Sequence, residues 1–78
     1  MRYRMNLGTA KEMLAWVMQH TNNEAISCQC EQVLIELHEI GMVEYRRGVI
    51  RSVVNQFYRD LPQAIKRQIQ IVQTPNNL

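Results

Sequence analysis

The sequence predicts an all-α fold, a compact bundle of three to four short helices. Three observations carry that expectation. Apolar residues recur at spacings of three and four along most of the chain, not at two. Thr9, Thr21 and Asp60, all residues that start helices well, stand just ahead of those periodic segments. Gly41 stands at the end of the longest one, where a left-handed residue closes a helix.

The first helix is expected over about 10–20. Thr9-Ala10-Lys11-Glu12 reads as a capping box, in which the threonine hydroxyl accepts an amide three residues on and the glutamate reaches back. Ala10, Met13, Leu14 and Val17 follow at helical spacing. The second helix is expected over about 24–40, with Thr21 to Glu24 as a second capping box and Ser27 as a rival start. Its apolar stripe is Ile26, Cys30, Val33, Leu34, Leu37 and Ile40. Residues 42–48 are ambiguous and could form a short extended segment. The third helix is expected over about 49–59, because Ile50, Val53, Val54, Phe57, Tyr58 and Leu61 recur at three and four despite the β-branched residues. The fourth is expected over about 61–73, with Asp60 as cap, Pro62 in the first turn, and Leu61, Ala64, Ile65, Ile69 and Val72 as its apolar face. The ends at 1–6 and 74–78 read as loose.

The 78 residues suffice for one domain, 1–78, and are too few for two. With 46% hydrophobic and 21% charged residues, the composition is that of a folded chain and not of a disordered one. No apolar run approaches the roughly 20 residues that a membrane span needs. Arg2 and Arg4 are followed by no apolar stretch of the kind a secretory signal requires. A soluble, cytoplasmic protein is therefore expected. Cys28 and Cys30 fit that compartment as reduced thiols, since residues two apart on a helix point about 200° from each other and cannot bridge.

Several chemistries are disfavoured. The metal-ligating candidates Cys28, Cys30, His20 and His38 lack the paired spacing of a zinc site, so no metal is expected. No glycine-rich elbow positions a nucleophile, so neither a catalytic residue nor a small-molecule substrate is expected. Gly8, Gly41 and Gly48 lie too far apart to form a phosphate-binding loop, and no cofactor is expected.

Two binding readings remain. The first is a non-enzymatic regulatory or adaptor protein that binds another protein or itself, as a homodimer, through an exposed apolar helical face. Its candidate residues are Trp16, Cys28 and Ile35, because Cys28 and Ile35 fall opposite the stripe of the second helix and Trp16 falls beside that of the first. The second is a small DNA-binding regulator of helix-turn-helix or winged-helix type. Arg46, Arg47 and Arg51 cluster at the start of the third helix beside Tyr45, and Gly41 stands where the turn would fall. The charge is divided to match. Residues 1–45 carry three basic and six acidic side chains, and residues 46–78 carry six basic and one acidic. Against DNA stand an isoelectric point of only 8.8 and a connection long for a tight turn. The same arginines could instead steer an acidic protein partner. A structural subunit of a larger assembly would look the same as the first reading.

Overall fold

A computed structural model describes residues 2–72. The fold is all-α, with four helices and one short antiparallel pair of strands. In chain order the elements are β1 (Arg2–Arg4), α1 (Leu7–His20), α2 (Glu24–Ile40), a 3₁₀ turn (Val43–Arg46), α3 (Arg47–Phe57), a second 3₁₀ turn (Tyr58–Asp60), α4 (Gln63–Gln68) and β2 (Gln70–Val72).

α1 begins earlier than its expected capping box. Asn6 is the cap, and its side-chain oxygen accepts the Thr9 amide at 2.8 Å. Asparagine outranks threonine in that role. Thr9 is instead fully buried, where an unpaired hydroxyl would be costly, and it donates to Gln68 Oε1 of α4 at 2.9 Å. At the other end, His20 Nδ1 donates to the Trp16 carbonyl one turn back on the same helix, at 2.8 Å.

α2 spans the expected 24–40, but neither Thr21 nor Ser27 caps it. Asn23 caps it by accepting the amides of Ala25 and Ile26. Thr21 accepts the Asn23 amide, and the Ser27 hydroxyl donates to the Met18 carbonyl, tying α2 to α1. Gly41 closes the helix in the left-handed region at φ 73°, as its position suggested. Cys30, Val33 and Leu37 are buried, but Ile40 at the end of the expected stripe is exposed.

Of the segment 42–48 only Met42 is extended. Val43–Arg46 coils as a 3₁₀ turn that runs directly into α3, which starts at Arg47 rather than 49 and ends at Phe57 rather than 59. The coil lets Val43 pack on the core and turns Arg46 back onto Glu36 of α2. Asp60 lies in the second 3₁₀ turn and does not cap α4, whose N-cap position is Pro62.

The largest correction concerns the two ends. α4 stops at Gln68 instead of 73, and Gln70–Val72 pairs antiparallel with Arg2–Arg4 in the register Arg2↔Val72, Tyr3↔Ile71, Arg4↔Gln70. Adjacent β-branched residues, Ile71 and Val72, favour this state once a partner strand is present. Of the expected loose segment at 1–6, residues 2–6 are thus a paired strand followed by a helix cap, whereas residue 1 and the segment 74–78 lie outside the described residues.

The core joins Ala10, Met13, Leu14 and Val17 of α1 with Cys30, Val33 and Leu37 of α2, Ile50, Val53 and Val54 of α3, and Leu61, Ile65 and Ile69. Burial raises the Cys30 thiol above its ordinary value, so it is a small neutral core group. Among the described residues, no helix is long and apolar enough to cross a membrane.

Candidate nucleic-acid interface

α3 is the most sharply divided helix of the fold. Ile50, Val53 and Val54 are buried and Phe57 is half-buried. Arg47, Arg51, Ser52, Asn55 and Gln56 are exposed. At about 100° per residue those five side chains spread over roughly half of the helix circumference. The helix contains no carboxylate anywhere between Arg47 and Phe57. Arginine, serine, asparagine and glutamine are the side chains that bond base edges and phosphates.

Beside α3 runs an open groove of about 680 Å³. Its walls come from β1, the 3₁₀ turn at Val43, α3 and the α4–β2 junction. Arg4, Arg47 and Arg51 line it with one acid, Glu44. The local balance is positive, and confining three guanidinium groups around one concavity focuses their field on an anion.

The expected trio is therefore only partly assembled. Arg47 and Arg51 meet at the groove, but Arg46 does not. Its Nη2 donates to Glu36 Oε1 at 3.3 Å, and its Nε faces Glu36 Oε2. Nε and Oε2 are shielded from solvent, and each is the other's compensation. The Arg46 guanidinium also lies 6.0 Å from the centre of the exposed Tyr45 ring. Arg46 is thus a tie between α2 and the turn leading into α3.

Arg4 takes the third place. The sequence marks it only as an N-terminal charge, because nothing local says that residue 4 lies near residues 47 and 51. The antiparallel pairing of β1 with β2 brings it there. Tyr3 is held on the same strand. Its ring stacks on Tyr58 with centroids 6.4 Å apart, and its phenol donates to Asn55 Oδ1 at 2.7 Å. Desolvation, with Tyr58 second, raises the Tyr3 phenol above its ordinary value, so it stays protonated and able to donate.

The apolar candidates do not form one surface. Ile35 is 49% exposed and Cys28 is exposed, and seven residues apart they share the outer side of α2. Ile35 borders a shallow hollow of about 340 Å³ with Lys11, Leu34, His38 and Glu39. Lys11 Nζ donates to His38 Nδ1 at 3.5 Å across the α1–α2 seam. Trp16 lies about 140° around α1 from Lys11 and so belongs to another flank. It is half-buried and stacked on His20, with centroids 4.3 Å apart and planes 11° from parallel. The other exposed large apolar residues, Ile40, Met42, Tyr45 and Ile71, come from several elements.

Among the described residues, no three His, Cys, Asp or Glu side chains converge as a metal-binding group. Compared with protein-family models, with curated proteins and with solved structures, the chain matches none of them.

Proposed function

We propose that this protein is a non-enzymatic, cytoplasmic DNA-binding regulator that lays α3 into the major groove of a duplex. The observation that supports this reading best is the outward face of α3. It offers Arg47, Arg51, Ser52, Asn55 and Gln56 without a single carboxylate, flanked by Arg4 from β1. A major groove admits one helix, and the order α2, turn, α3 supplies a supporting helix and a reading helix. In this reading Arg4, Arg47 and Arg51 hold phosphates and fix register, while Ser52, Asn55 and Gln56 meet base edges.

The test is fluorescence anisotropy of a labelled random-sequence duplex titrated with protein at several salt concentrations. Affinity should fall linearly with salt on logarithmic axes. Arg47→Ala and Arg51→Ala should each lower that slope by about one. Absence of binding at low salt, or slopes unmoved by both variants, would overturn the reading.

A second reading rests on Ile35, which is half-exposed beside Cys28 on the outer side of α2. That side would dock another protein or a second copy as a homodimer. Light scattering would then give a multiple of the 9.2 kDa chain mass, and Ile35→Asp should return it to the monomer with helical content intact. A monomeric wild type removes the homodimer form of this second reading.

A further inference from the structure

Asn55 sits on the third turn of the exposed face of α3. An exposed asparagine amide turns broadly about its last torsion, so it ordinarily presents no fixed order of donor and acceptor. Here one lone pair of Oδ1 is occupied by the Tyr3 phenol, from 52 residues away in sequence, at 2.7 Å. Tyr3 is itself held twice over. Its ring stacks on Tyr58, and its backbone stands opposite Ile71 in the β1–β2 pair. Among the described residues Asn55 makes no other side-chain hydrogen bond, so the second Oδ1 lone pair and the Nδ2 hydrogens stay open to a ligand.

An acceptor and a donor side by side on one planar amide match the major-groove edge of adenine, whose N6 amino group donates and whose N7 accepts. Thymine offers an acceptor and a methyl group, and guanine offers two acceptors, so neither matches both atoms of the amide. We propose that Tyr3 is a positioning residue that sets the Asn55 amide to read an adenine in duplex DNA. This deepens the DNA-binding reading and rests on it. The arrangement would explain why an exposed phenol and an exposed amide are joined across such a long stretch of chain, since a hydrogen bond at the surface adds little to stability.

The experiment is selection from a randomised duplex library with the full chain, in parallel for wild type, Tyr3→Phe and Asn55→Ala. Tyr3→Phe keeps the aromatic ring on Tyr58 and removes only the hydroxyl. Circular dichroism and thermal melting check that all three proteins fold alike. Wild type should enrich adenine at one position by roughly fivefold or more, the discrimination of a two-point contact. Asn55→Ala should lose that enrichment. Tyr3→Phe should lose most of it at that position only, with affinity for random duplex and its salt slope unchanged. Full adenine enrichment in Tyr3→Phe, or no adenine position in wild type, overturns the inference while leaving DNA binding intact. If wild type retains no duplex at low salt, the inference and the reading beneath it both fall.

Discussion

α2 and α3 solve the same inward problem and face outward in opposite ways. Each buries three side chains in the shared core, Cys30, Val33 and Leu37 from α2 and Ile50, Val53 and Val54 from α3. The outer side of α2 mixes the apolar Cys28 and Ile35 with the acids Glu31 and Glu39. That of α3 has polar side chains everywhere except at Gly48, carries two arginines and has no acid. An anionic polymer gains nothing from the first surface and is attracted by the second. Two amphipathic helices of equal standing in the core are thus not equal as binding surfaces. The inward faces are alike, and the outward faces differ in charge and polarity.

The largest expected effect tests the shared inward role. Leu37→Ala removes a fully buried side chain from α2 and should cost about 2–5 kcal/mol in urea unfolding. A cost below about 0.5 kcal/mol would mean that α2 is not anchored as described. The outward contrast is tested next by placing the same charge on both helices. Ser52→Glu on α3 should weaken duplex binding roughly tenfold at low salt, while Gln32→Glu on α2 should leave it unchanged. Equal losses from both variants would show that the field of the whole chain, not the face of α3, governs binding.

Smaller effects separate the two uses of arginine. Arg46→Ala should cost about 1 kcal/mol of stability, since it strands the half-shielded Glu36 carboxylate. Its effect on the salt slope should be smaller than that of Arg47→Ala, which should leave stability within about 0.5 kcal/mol. A reversed pattern would put Arg46 in the interface and Arg47 in the scaffold. The smallest effect belongs to Cys28→Ser. At an exposed position it should shift stability by less than about 0.5 kcal/mol, measured by the same urea titration.

Much of this architecture is legible in the residues themselves. The stripe of Cys30, Val33 and Leu37, the closure of α2 at Gly41 and the core set of Ile50, Val53 and Val54 all follow from spacing and from the conformational freedom of glycine. So does the concentration of basic side chains after residue 45. The outward face of α3 could also have been read from the wheel that marks its core, because Arg47, Arg51 and Asn55 recur every four residues. Other features could not be read so directly. Thr9 and Asn6 are both good caps, and the choice went to Asn6 because burial gave Thr9 a partner on α4. Arg46, Arg47 and Arg51 look alike in a list of charges, and only the position of Glu36 across the fold removes Arg46 from the group.

What the sequence by itself determined is therefore the set of helices, their inward faces and the sign of charge on the second half. These depend on interactions within a few residues, and their periodicity is written along the chain. Only the tertiary structure decided that the two ends pair as strands, that Arg4 joins Arg47 and Arg51, and that Tyr3 meets Asn55. Those contacts join residues more than 40 positions apart in the chain. Their energy depends on a distant partner, and no local spacing records who that partner will be.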